Sequence, residues 1–312
     1  MGANVSLRTW LRASYSSKAR LSWMCSAYLG QWLRLWSGHC TVVDSHSMHF
    51  SSRNLSRTSL AIALASGAIF FGASISSAEE RFTMVEAEAG SDVQVIGATP
   101  AAAGDWPATF RFSHGGKFCT STLVGERAIL TAAHCVDNNQ SGVIKIAGKS
   151  TSVQCLRNPK YQDNNHYDVA LCLAAARITL PNGARYETLN SDSGSPQVGT
   201  DVTLLGFGCR SAGGGGPSGA LYQGQAQLAL SEFVYLRARG GAAVCFGDSG
   251  GATYFDAGGN RRIAGVASQG DLQNVTWFTN IANPAVASFF KTWSLANGST
   301  ICGVTQKGGT CK

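Results

Sequence analysis

From Val95 onward the chain is a series of short apolar runs cut by Gly, Asn, Asp and Ser, and this pattern limits the fold more than any other feature. ATFRFS, AILTAA, VIKIAG, VTLLGFG and RIAGVAS are such runs. They are too short for helices and recur at short intervals with turn residues between them. That spacing predicts an antiparallel all-β sandwich or a pair of barrels. There is no strand–helix–strand alternation and no fixed-period repeat. One helix is expected in NPAVASFFKTWSLANG, with Asn283 as N-cap, Pro284 at the first helical position and Gly298 just past the end. Val286, Phe289, Phe290 and Trp293 then share one face.

Composition narrows the compartment. The 312 residues allow one large domain or two small ones with ample core. No apolar stretch is long enough to span a membrane. The formal charge of +7 is spread along the chain without a dense Lys/Arg run, which argues against nucleic acid as a partner. The ten cysteines include no CxxC pair, which weakens zinc and thioredoxin-type readings, and no metal ligand set or cofactor motif stands out. Eight follow residue 118: Cys119, Cys135, Cys155, Cys172, Cys209, Cys245, Cys302 and Cys311. An even set suits disulfides in an oxidising compartment.

That compartment requires an export signal, and residues 48–78 read as one. Arg53 and Arg57 precede an apolar core from Leu60 to Ala73, and Ser76-Ser77-Ala78 offers small residues for cleavage. The protein is therefore expected to be secreted, extracellular or periplasmic, and free of the membrane once the signal is removed. Residues 1–47 hold Cys25 and Cys40 and read as an extension wrongly assigned to the chain. A targeting or membrane-surface segment is the rival reading. Residues 79–94 are acidic and rich in small residues. They read as a short pro-segment without the pattern of a core element.

The stretch VCFGDSGGATYF packs Gly247, Asp248, Ser249, Gly250 and Gly251 between apolar residues. A plain turn would use the same residues. A nucleophilic serine on a tight loop is the sharper reading, and it needs a base. The histidines after residue 94 are His114, His134 and His166, and His134 ends the apolar run ILTAAHCV. Asp168 lies against Val169, Ala170 and Leu171, where a carboxylate needs a partner. A turn residue after QDNNH is its simpler reading.

Together these segments resemble the trypsin/chymotrypsin family of secreted serine proteases. TAAHC around His134, YDVAL around Asp168 and GDSGG from Gly247 match the family's three boxes in its own order. VIGATPAAAGDWPATF, from Val95, is similar to the family's mature N-terminus. The resemblance runs from Val95 to about Asn297. It implies two packed antiparallel six-stranded β-barrels, one over about 95–195 and one over about 196–282, and a terminal helix over about 284–297. It implies a catalytic set of His134, Asp168 and Ser249, with the N–H groups of Gly247 and Ser249 as oxyanion hole. It also implies a zymogen in which a protease cut frees the α-amino group of Val95 to pair with Asp248. Polypeptides are the implied substrates of a monomeric enzyme that needs no cofactor. Ser268 matches a serine that supports the triad aspartate beside the specificity pocket.

Four departures stand out. Gln94 precedes the expected cut, where the family usually carries Arg or Lys. Ala243 stands where trypsin-like members carry Asp, so the pocket floor is neutral, and Gly270 is expected to leave one wall open. The segment after Gly270 lacks the family's cysteine. Of the disulfides, Cys119–Cys135 matches the family's histidine-loop bridge. Cys245 has lost its usual partner, and Cys209 is the remaining cysteine in the second half of the body. Cys155–Cys172 and Cys302–Cys311 follow by elimination, the last in a tail over 298–312. An inactive homologue that serves in binding or adhesion is the alternative function.

Overall fold

In the computed structural model, which describes residues 81–86, 97–209, 211–214, 219–306 and 311, the short apolar runs become fourteen strands and one helix. The extension over 1–47, the signal segment over 48–78 and Val95 lie outside the described residues.

The first barrel contains β1 (Phe82–Glu86), β3 (Thr109–His114), β4 (Lys117–Leu123), β5 (Ala128–Thr131), β6 (Ser141–Ile146), β7 (Lys149–Arg157) and β8 (Ala170–Ala174). It closes in the order β1-β3-β4-β5-β8-β7-β6. It thus has seven strands where the sequence implied six, and it starts at Phe82 instead of Val95. The segment read as lacking a core pattern supplies the extra strand. Its sequence FTMVE alternates, and Phe82 and Met84 are fully buried. Burying each contributes about 1.5–3 kcal/mol. Flanking acidic residues hide a period of two that spans only one strand. β1 runs antiparallel to β3 and parallel to β6, so the barrel is not purely antiparallel. Gly142 on β6 makes room for it: a Cβ there would lie 2.2 Å from the Phe82 ring.

The second barrel contains β9 (Asp201–Gly206), β10 (Tyr222–Ser231), β11 (Tyr235–Arg239), β12 (Ala252–Asp256), β13 (Arg261–Gly270) and β14 (Val275–Asn280), all antiparallel, and closes through β10 and β11. The short strand β2 (Thr99–Pro100) adds to the edge of β10. Residues assigned to the first barrel from the sequence thus pair with the second. Apart from these boundaries, the architecture is the expected two-barrel, one-helix fold.

The helix α1 (Pro284–Asn297) begins at Asn283, whose Oδ1 accepts the N–H groups of Ala285 (2.8 Å) and Val286 (3.2 Å). It ends at Gly298 in the left-handed conformation, where glycine meets no Cβ penalty. Val286, Phe289, Phe290 and Trp293 are buried in a cluster with Leu130 and Leu171 of the first barrel and Leu205, Phe207 and Tyr254 of the second. That cluster joins the barrels. Beyond the helix, Cys302 and Cys311 pack into the core of the first barrel. The disulfides are Cys119–Cys135, Cys155–Cys172, Cys209–Cys245 and Cys302–Cys311.

Candidate active site

His134 sits on a single 3-10 turn, Ala133–Cys135, directly after β5. The turn is fixed at three points. Cys135 is bridged to Cys119 on β4, the Ala133 carbonyl accepts from Arg157 Nε at 2.8 Å, and the His134 N–H donates to Asp168 Oδ1 at 2.9 Å. Asp168 lies two residues before β8 and is buried. Its Oδ2 faces His134 Nδ1 at 2.6 Å and accepts the Ser268 hydroxyl at 2.6 Å. The carboxylate therefore takes three hydrogen bonds, one from a backbone N–H, one from an imidazole and one from a hydroxyl. A carboxylate on Nδ1 selects the tautomer that protonates that nitrogen and leaves Nε2 as a base. The loop carrying Asp168 is anchored to the second barrel by Thr279 on β14, whose hydroxyl donates to the His166 carbonyl at 2.9 Å.

Ser249 lies between β11 and β12. It lines the same cavity as His134, about 490 Å³ in volume. Its loop is built from close backbone approaches. At Gly250, with φ +83°, a Cβ would come within 2.3 Å of the Thr120 carbonyl and the Thr131 hydroxyl. Gly247 has φ +107°, a region that L side chains rarely adopt. The Thr120 hydroxyl donates to the Gly247 carbonyl at 2.9 Å and accepts the Phe207 N–H at 3.2 Å. That carbonyl is thereby turned into the protein. Among the described residues, no hydrogen bond occupies the N–H of Gly247 or of Ser249, and none joins the Ser249 and His134 side chains.

Asp248 is fully buried. Its Oδ1 accepts the Gly208 N–H at 2.6 Å and its Oδ2 the Cys245 N–H at 2.8 Å. Burial pushes its carboxyl up to about 6, and the two N–H bonds oppose that rise. Gly206 and Gly208 leave the space it fills, since a Cβ at either would lie within 2.5 Å of its carboxylate. The bridge Cys209–Cys245 joins one of these donors, Cys245, to the neighbour of the other.

Among the described residues that line the cavity there is no Asp, Glu, Lys or Arg. Val244, Phe246, Ala267, Gly270 and Leu272 make it apolar. Ala243 is fully buried and does not line it, which departs from its reading as the floor. Its neighbour Val244 lines the cavity. Gly270 lines the cavity but does not open a wall: a Cβ there would lie 2.9 Å from a Val244 methyl. The buried Thr276 hydroxyl accepts the Val244 N–H at 3.0 Å, fixing this narrow passage.

The two other candidate histidines are engaged elsewhere. His114 Nε2 lies 2.9 Å from Gln140 Nε2, and the His166 ring stacks on Tyr235 at 4.6 Å. Sequence reasoning passed over Thr120, Phe246 and Leu272. Thr120 carried no distinct signal, being one of three hydroxyl residues in β4, KFCTSTL. Leu272 carried none. Cys119, His134 and Cys135 bring one ligand atom each within 4.8 Å of one another. Both sulfurs are consumed in a disulfide, so that group offers a metal only an imidazole.

An imidazole held by a buried carboxylate beside a serine on a glycine loop can activate that hydroxyl for acyl transfer. The chain is 25% identical over 216 residues to chymotrypsin-like elastase family member 1 of Canis lupus familiaris, covering 57% of this chain and 82% of that one. The same protein of Felis catus is 27% identical over 223 residues, with coverages of 57% and 79%. Trypsin Tyr p 3.0101 of Tyrophagus putrescentiae is 28% identical over 211 residues, with coverages of 56% and 71%. The family described as Trypsin matches residues 95–289, and the chain belongs to that family of serine proteases.

Proposed function

We propose that this chain is a secreted serine endopeptidase that cleaves polypeptides after small or apolar residues. The observation that carries the reading is the 2.6 Å contact of His134 Nδ1 with buried Asp168, in the cavity that also holds Ser249. In this reading the Ser249 oxygen attacks the scissile carbonyl carbon while its proton passes to His134 Nε2. The carbonyl oxygen becomes an oxyanion that the N–H groups of Gly247 and Ser249 stabilise. The carbon–nitrogen bond then breaks, and His134 hands its proton to the leaving amine. Water repeats the sequence on the acyl-enzyme and frees the acid. Asp168 orients the imidazole and stabilises its cation, and Ser268 positions Asp168.

The largely apolar lining of the cavity, without an acidic side chain, supports the side-chain preference. An arginine or lysine bound there would be an unpaired charge out of water, which costs several kcal/mol. Peptide amides with Ala, Val or Leu before the scissile bond are expected to react at least about a hundredfold faster than those with Arg or Lys. The polypeptide is made as a zymogen in this reading, and a cut ahead of Val95 by another protease supplies an ammonium to Asp248. The buried, partly unscreened carboxylate of Asp248 supports that role.

A serine-directed fluorophosphonate probe tests the reading. It should add once to the secreted chain and not at all to Ser249→Ala, and N-terminal sequencing should find Val95 on the labelled molecules. A folded, disulfide-bonded chain that starts at Val95 and takes no label would establish a binding protein on a protease scaffold instead.

A further inference from the structure

We propose that Phe82–Glu86 remains in the mature enzyme as a separate, non-covalently held strand, seated in a slot between β3 and β6. This rests on the reading that the chain is cut ahead of Val95. The slot is a binding site for a short alternating β-segment, and its occupant is the chain's own pro-segment.

Both edges of the strand are engaged. Thr83 to Glu86 pair with Ser113 to Phe110, and Phe82 to Val85 pair with Gly142 to Lys145. Phe82 stacks on Phe112 with ring centroids 4.8 Å apart, and Met84 is buried beside it in the barrel core. The slot is shaped for this occupant, because the Phe82 ring fills the space that a side chain at Gly142 would need. At the far end Glu86 Oε2 accepts the Ala147 N–H at 2.8 Å. The Ser113 hydroxyl adds a bond to the Thr83 carbonyl at 3.3 Å.

Among the described residues β3 and β6 do not pair with each other, and β1 alone closes the barrel between them. Its departure would leave two open strand edges beside an apolar interior, a template for aggregation. Residues 79–94 contain no cysteine, so no disulfide ties the segment to the body. Retention after a cut depends on pairing and burial alone.

The test uses the full chain with the residues just ahead of Val95 changed to the recognition site of a sequence-specific protease that cuts directly before Val95. The chain is cut under native conditions, passed over a sizing column and weighed by mass spectrometry in denaturant. The expected result is one eluting species holding body and peptide in equal molar amounts, with isotope-labelled peptide 79–94 exchanging in only slowly. In the Phe82→Ala chain that exchange should be at least about a hundredfold faster. Peptide that leaves the intact chain's body on cutting, with the body still monomeric and unchanged in melting temperature, overturns the proposal. Probe labelling of the same fractions separates the two readings. A body that keeps its peptide without labelling contradicts the protease, and a body that labels after losing its peptide contradicts the retained strand.

Discussion

Asp168 accepts a backbone N–H, an imidazole and a hydroxyl, and an amide cannot accept all three. Asp168→Asn is expected to lower kcat by about ten-thousandfold, through the wrong imidazole tautomer, with KM little changed. Steady-state assay of a peptide amide checks it. Asp248 makes a prediction of opposite electrostatic sense. Its carboxyl rises from 3.8 to about 6 on burial, so the folded chain takes up a proton that the unfolded chain releases between those values. This group's contribution to stability is thus fully present below pH 4 and falls away as pH rises through about 6, a loss of about 3 kcal/mol by neutral pH. In the uncut chain, urea midpoints of Asp248→Asn should fall less between pH 4 and 7 than those of the parent. An ammonium brought to Asp248 would reverse the sign. Asp168 was readable as a carboxylate set against apolar residues, whereas the role proposed for Asp248 was implied only by the resemblance of GDSGG to the family's serine box. Leu272 was not readable, since an exposed-looking apolar residue in a polar turn has no pattern until the cavity it lines is seen.

At the scale of elements, the loop that carries Ser249 is held by a cross-link. Cys209–Cys245 spans 36 residues and joins one N–H donor to Asp248, Cys245, to the neighbour of the other. In the chain-entropy view, closing a loop of that length contributes about 4 kcal/mol. The double variant Cys209→Ser, Cys245→Ser should lose about that much in urea unfolding, and its probe-labelling rate should fall because the loop is no longer tied to Gly208. β3, β5, β6, β9 and β13 were legible as short apolar runs between turn residues, the helix from the spacing of its apolar face, and the caps Asn283 and Gly298 from residue type alone, whereas the strands between those runs were implied only by the family resemblance. β1 was not. Five residues carry only two and a half repeats of a two-residue period, and the partners that justify Phe82 and Met84 lie some thirty and sixty positions away, at Phe112 and Ile144.

At the scale of the whole molecule, an ion pair bridges the two barrels. Glu187 is buried, and Arg261 on β13 reaches it with Nε at 3.1 Å while lying 4.2 Å over the Trp106 ring. Burial raises the Glu187 carboxyl, and Arg261 opposes the rise. Arg261→Ala strands that carboxylate and removes the stacked cation. It should cost about 3–5 kcal/mol in urea unfolding, whereas the paired change Glu187→Leu, Arg261→Met should recover most of the loss.

Cys302 and Cys311 have a consequence for synthesis. The Cys302 N–H donates to the Val124 carbonyl at 2.8 Å, its carbonyl accepts from Leu189, and both cysteines belong to the interior of the first barrel. That interior also needs Phe82, so its parts span nearly the whole described chain. The first barrel cannot be finished while the second is still being made. The two barrels therefore do not fold one after the other as the chain emerges. A nascent chain held short of Cys302 should remain protease-sensitive throughout, and resistance should appear in both barrels together on release.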